Sequence, residues 1–219
     1  MKKEELLKGI KNVIFDMDGT LIDSLSMWSD IDVRFFQEHH MEVPKDYDKR
    51  IAHMNFMEMA QFTKDEYGFE ESVEEIAFMW TTWAQEAYEK TLLAKPGAKE
   101  FLAYCKSKGM QISLATTNKR ELYEPCLENN NMWQYFDFCM NVNEIGSTKS
   151  EPKIYLLLAE KMGSKPEETM VFEDILQAVK TAKNAGFKVT AVYDKRNEAD
   201  LEEIQNNCDY FLESYETLE

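Results

Sequence analysis

The sequence predicts an α/β protein: a parallel sheet whose strands alternate with helices, split after its first strand by a wholly helical insert. Three observations predict it. Short apolar runs rich in β-formers alternate with amphipathic segments over roughly residues 98–212, the rhythm of strands joined by right-handed crossovers. An isolated run of the same kind, Val13-Ile14-Phe15, ends abruptly in Asp16-Met17-Asp18-Gly19-Thr20. Between the two, from Ser24 to about Thr91, apolar residues recur only at helical spacing.

Each element follows in turn. Residues 3–11 suit a short exposed helix. The run 13–15 reads as a buried strand, and if it persists through Asp18 then Asp16 and Asp18 share a face, because strand side chains alternate with period two. Gly19 can take φ > 0 and removes side-chain bulk, so a ligand can approach the backbone. Met27, Trp28, Ile31, Phe35 and Phe36 lie at helical spacing, as do Ile76, Phe78, Met79, Trp80, Trp83, Ala84 and Ala87, and this Met-rich and aromatic stripe predicts a helical domain with its own core. Pro96-Gly97 breaks the chain before a helix over 98–108. Strands follow at 111–115, 138–141, 170–172 and 188–192, with helices at 120–129, 152–161, 176–185 and 200–206 and an edge strand at 210–212. Gly109, Gly163 and Gly186 stand where helices should stop. The α/β domain is therefore discontinuous, residues 1–22 plus 93–219, and residues 23–92 form the insert.

Composition narrows the function classes. The chain has 219 residues, 44% hydrophobic and 30% charged, enough for a sizeable core. Its net charge of −16 argues against nucleic acid or an anionic membrane as the main partner, though not against a small phosphorylated metabolite at a locally positive site. Cys105, Cys126, Cys139 and Cys208 show no metal-ligand spacing and read as reduced thiols, which with the mixed-charge start Met1-Lys2-Lys3-Glu4-Glu5 and the lack of any membrane-length apolar run predicts a cytoplasmic protein, expected to be a monomer. No G-x-x-x-x-G-K-[ST], G-x-G-x-x-G or H-E-x-x-H occurs, and His39-His40 reads as a solvated helix end.

In parallel sheets ligands bind beyond the carboxyl ends of the strands. Four successive strand ends here carry Asp16, Asp18 and Thr20; then Thr116, Thr117 and Asn118; then Ser147, Thr148 and Lys149; then Glu173 and Asp174. The carboxylates would make a hard oxygen site suited to Mg²⁺, and Thr116, nearby backbone N–H groups and Lys149 are donors suited to a phosphoryl group. One aspartate can then attack phosphorus while the other moves a proton.

Taken in order and spacing, Asp16-Met17-Asp18-Gly19-Thr20, Leu114-Ala115-Thr116-Thr117-Asn118, Lys149 with Pro152, and Phe172-Glu173-Asp174 resemble the four motifs of the haloacid dehalogenase-like hydrolases. The insert resembles the cap of the β-phosphoglucomutase-like phosphatases. The resemblance implies a Rossmann-like core with an inserted α-helical cap and a Mg²⁺-dependent phosphatase acting on a sugar phosphate or nucleotide. By it Asp16 is the nucleophile that becomes an aspartyl-phosphate, Asp18 the general acid and base, and Thr116, Thr117 and Lys149 the phosphate ligands. Mg²⁺ would take Asp16, the Asp18 carbonyl and Asp174, with Glu173 in the outer shell or assisting. Trp28, Arg50, His53 and Asn118 are the substrate-contact candidates.

Two motifs depart from the family pattern. Lys149-Ser150-Glu151-Pro152 replaces Lys-Pro-x-Pro, adding a negative charge beside the lysine. Ile175 and Ala178 replace a serine and a glycine after Asp174, predicting a stiffer loop short of one hydroxyl. Trp28 stands where the mutases resembled carry a histidine, which counts against a sugar phosphomutase; Asp18 counts against a dehalogenase. The other alternative is a silent binding module that keeps the fold.

Overall fold

The computed structural model describes residues 1–51 and 54–219, so His53 lies outside the described residues. The chain divides into two compact units, Met1–Leu25 with Leu92–Glu219, and Ser26–Thr91.

The first unit is built on a six-stranded parallel sheet. Its strands are β1 (Asn12–Phe15), β4 (Ile112–Thr116), β5 (Phe138–Asn141), β6 (Thr169–Glu173), β7 (Lys188–Val192) and β8 (Tyr210–Leu212), in the order β5-β4-β1-β6-β7-β8. All four residues of β1 are buried, as a strand covered on both faces requires. Helices α6 (Ala98–Ser107), α7 (Arg120–Asn129), α8 (Lys153–Lys161), α9 (Leu176–Asn184) and α10 (Leu201–Asn207) alternate with these strands. Parallel register sets Phe15 beside Phe172, and the two rings stack at 4.4 Å, with Phe101 of α6 edge-on to Phe15 at 6.2 Å. Truncating a buried aromatic such as Phe15 to alanine costs about 3–5 kcal/mol.

Three local readings change. Strand β1 stops at Phe15, so Asp16 and Asp18 sit in a turn and do not share a strand face. The Met17 carbonyl accepts from the N–H groups of Thr20, Leu21 and Ile22, and Gly19 sits at φ +80°; that geometry rolls the chain over and cannot continue a strand. Helix α1 (Lys3–Leu6) ends well before residue 11, with Gly9 at φ +79°. A two-residue antiparallel ladder, β2 (Ile22–Asp23) with β3 (Leu93–Ala94), joins the two chain crossings at the border of the insert. Two-residue strands carry no readable period.

The second unit contains α2 (Met27–Glu38), α3 (Tyr47–Ile51), α4 (Phe56–Tyr67) and α5 (Val73–Lys90), and no strand among its described residues. Asn55 with Glu58 and Ser72 with Glu75 form reciprocal capping boxes that start α4 and α5. Its core is aromatic: Phe35 meets Phe69 at 5.1 Å and Trp80 at 5.6 Å, and Phe36 meets Tyr47 and Tyr67 at 5.1 Å each. His39 is not a solvated end. Its ring packs on Phe35 and Phe69, and its nitrogens meet the Phe35 carbonyl at 2.7 Å and the Glu71 carboxylate at 2.8 Å. Among the described residues no helix is long and apolar enough to cross a membrane.

Candidate functional site

The β1–β6 register that pairs Phe15 with Phe172 also brings the next residue of each strand to the same rim. The Asp16 N–H donates to the Phe172 carbonyl at 3.0 Å, and Asp16, Glu173 and Asp174 converge there, all buried, with one oxygen from each within 4.8 Å of the others. Three carboxylates in one buried place repel, and something cationic must offset them. Lys149, on the loop between β5 and α8, supplies part of it. Its ammonium donates to both Asp16 and Glu173. Burial disfavours the lysine's charge, but the two carboxylates outweigh that and hold its pKa above the ordinary value.

Glu173 is fully engaged. It accepts from Lys149, from the Tyr155 hydroxyl of α8 at 3.0 Å and from the Asp174 N–H at 3.1 Å. Burial still pushes it up, against the pull of Lys149. Asp174 is raised well above the carboxylate range, first by burial and then by Asp16 and Glu173. The cluster is thus short of positive charge. Hard oxygens in that condition fit a divalent cation, and Asp16 and Asp174 could hold one.

Asp18 is half-buried and accepts from the Asn118 side-chain amide at 2.6 Å. Asn118 is itself fixed at the end of β4, where its N–H donates to the Thr116 hydroxyl at 3.0 Å. Thr116 is buried and Thr117 exposed on the same turn. Asp16, Asp18, Thr116, Asn118, Lys149, Glu173 and Asp174 therefore all lie at the carboxyl-end rim of one sheet. Trp28 and Arg50 belong to the helical unit, where the Arg50 guanidinium pairs with Glu66 at 2.8 Å and lies over the Phe62 ring at 4.7 Å.

Of the two departures, Ile175 takes an extended φ of −92° as the residue before α9 and leaves its side chain largely exposed, and Ala178 is buried in the first turn of that helix. Asp174 is steadied from elsewhere. The Asn197 amide donates to its Oδ2 at 2.8 Å and to its carbonyl at 3.1 Å, the Thr20 hydroxyl donates to Oδ1 at 3.4 Å, and the Arg196 guanidinium stands 3.7 Å from Oδ2. Arg196 is anchored by Asp194, which also pairs with Lys95 at 3.1 Å. Gly19 leaves the space for this: a Cβ there would fall 2.3 Å from both Arg196 Nη2 and Asp174 Oδ2.

Asp194, Arg196 and Asn197 were not among the residues the sequence singled out. They follow β7, and the rule that polar residues gather beyond strand ends would have found them had it been carried one strand further.

Comparison with known proteins agrees with this arrangement. Residues 13–192 match the family model described as haloacid dehalogenase-like hydrolase. A phosphorylated carbohydrates phosphatase of Thermotoga maritima is 30% identical over 177 residues, 80% of this chain and 82% of the relative. Hexitol phosphatase B of Escherichia coli is 27% identical over 185 residues, 82% of each. A solved structure from Thermotoga maritima, assigned as a β-phosphoglucomutase, superimposes with a TM-score of 0.82 at 26% identity, covering 93% of this chain and 94% of that one. The chain belongs to the haloacid dehalogenase-like hydrolases, and relatives across most of its length are named phosphatases.

Proposed function

We propose that this chain hydrolyses a small phosphomonoester, a sugar phosphate or a nucleotide, through an aspartyl-phosphate on Asp16. The observation that carries this reading is the unequal treatment of two aspartates two residues apart. Asp16 is buried against the ammonium of Lys149, whereas Asp18 is half-buried and accepts from the neutral side-chain amide of Asn118. A carboxylate fixed by a lysine suits a nucleophile whose position must not drift, and one held by an amide can take up and release a proton.

In the first step an Asp16 carboxylate oxygen forms a bond to phosphorus as the ester P–O bond breaks. Asp18 delivers its proton to the departing alkoxide oxygen. In the second step Asp18 takes a proton from water, the water oxygen bonds to phosphorus, and the Asp16–phosphorus bond breaks to free inorganic phosphate. Lys149 stays beside Asp16 throughout and offsets the charge gathered on the phosphoryl oxygens; Thr116 and Thr117 supply donors from the β4 turn. Mg²⁺, held by Asp16, Asp174 and the Asp18 carbonyl, would add charge neutralisation of the phosphoryl group. Glu173, already engaged by Lys149 and Tyr155, acts by positioning the lysine. The helical unit is proposed to act as the substrate-selecting cap.

The test is phosphate release from a panel of sugar phosphates and nucleotides with Mg²⁺ or with EDTA, together with mass spectrometry of the acid-quenched protein. The expected result is Mg²⁺-dependent turnover, an added phosphoryl group on the peptide containing Asp16, and loss of both in Asp16→Asn. Isomerised sugar phosphate without inorganic phosphate would instead identify a mutase.

A further inference from the structure

Within the helical unit, each of the four described helices contributes to one small cavity of about 230 Å³. Four of its walls are aromatic: Trp28 from α2, Tyr47 from α3, Phe56 from α4 and Trp80 from α5. Phe56 stands edge-on to both indoles, 5.9 Å from Trp28 and 5.8 Å from Trp80. Among the described lining residues one is charged, Asp32, and it lies one helical turn beyond Trp28 on the same face of α2. We propose that this pocket binds a small organic ammonium cation that also carries a hydrogen-bond acceptor, such as an amino alcohol of the choline type.

The chemistry of the lining selects that class. Aromatic faces are negative and attract a cation lodged between them, and a carboxylate adds a full opposite charge. No ion pair to Asp32 comes from the described residues, and burial, with Asp48 nearby, pushes its carboxyl up to about 7. A cation in the pocket would relieve that cost. The acceptor follows from Trp80, 3% exposed, whose indole N–H has no hydrogen-bond partner among the described residues. A buried donor left unmade is expensive, and a ligand hydroxyl would satisfy it. Trp28 is 47% exposed, so the pocket's indole wall is open to an entering ligand. Size sets the upper limit. A cavity of about 150 Å³ holds benzene, so this one holds a ligand of only a few more heavy atoms. The inference goes beyond the phosphatase reading, since it concerns the helical unit alone.

The test is titration of the whole protein with choline and with its neutral isostere 3,3-dimethyl-1-butanol at pH 8. No Mg²⁺ or phosphomonoester is present, and binding is read by calorimetry and by quenching of tryptophan fluorescence. Choline should bind about tenfold tighter than the isostere, the size expected for a partly desolvated cation–π site with a carboxylate. Asp32→Asn should erase that preference, and Trp80→Phe should weaken choline while leaving the preference for charge. Equal or tighter binding of the neutral isostere to the wild-type protein, or no saturable choline binding, would overturn the proposal, and neither reading depends on a variant folding. Because no step uses Asp16 or Mg²⁺, failure here leaves the phosphatase reading standing, and failure of that reading leaves this one.

Discussion

Both units of this protein carry carboxylates away from bulk water, on opposite terms. At the sheet rim three buried acids are knitted to Lys149, Tyr155, Asn197 and Thr20, with Arg196 alongside. In the helical unit Asp32 lies among aromatic rings, with Asp48 as its charged neighbour. The rim spends its polar contacts on holding acids in one geometry, which is what a site for charged chemistry needs. Among the described residues Asp32 has no such scaffold, so its surroundings favour the neutral form. The contrast shows that a raised carboxylate can mark either an organised cluster or a lone acid in an aromatic pocket, and that the contacts, not the shift, tell them apart.

The sharpest way to break the comparison is Lys149→Met. It strands Asp16 and Glu173 without their cation, and loss of one partner of a buried pair costs about 3–5 kcal/mol. Urea unfolding should show that loss, and turnover should fall by several decades. A variant as stable as the wild type would mean the rim acids do not need the lysine. Next comes Asn197→Ala, which removes both amide hydrogen bonds to Asp174. Destabilisation of about 1–3 kcal/mol is expected. The melting-temperature gain on adding Mg²⁺ should shrink with it; an unchanged gain would show that Asn197 does not position a metal ligand.

Asp32→Asn should act in the opposite sense. A carboxyl whose folded value is raised contributes stability that is fully present below its ordinary value of 3.8 and is lost as pH rises through about 7. The amide escapes that loss. At pH 8 the variant should melt about 2–4 °C above the wild type, a gain of about 1 kcal/mol after discounting for partial exposure. The gap should close towards pH 4, and a gap independent of pH would show that Asp32 does not carry the effect. The smallest change is expected from Arg50→Ala. Its pair with Glu66 is solvent-exposed, so a stability change within about 0.5 kcal/mol is expected from denaturant curves.

Much of the fold could be read along the chain because its signals are local. The strands at Phe138–Asn141, Lys188–Val192 and Tyr210–Leu212 and the helix Arg120–Asn129 fall where periodicity places them. The misreadings came where a few residues decide the path: the turn after Phe15, the ladder of Ile22–Asp23 with Leu93–Ala94, and the packing of His39 against residues some thirty positions away. Asp16, Asp18, Lys149 and Asp174 could be singled out because each follows a strand of the first unit, directly or on the loop beyond it.

The sequence by itself determined the strand and helix rhythm, the position of the insert and the polar residues beyond four strand ends, since hydrophobic period and turn chemistry act over a few residues. Only the tertiary structure decided which groups meet. Lys149 spans Asp16 and Glu173 because β1 and β6 pair in register; Arg196 stands beside Asp174 because Gly19 leaves room there; and Asp32 faces aromatic walls because the described helices α2 to α5 close around it. Those contacts join residues as far as 133 positions apart, and side-chain chemistry at that separation follows packing, which no local pattern encodes.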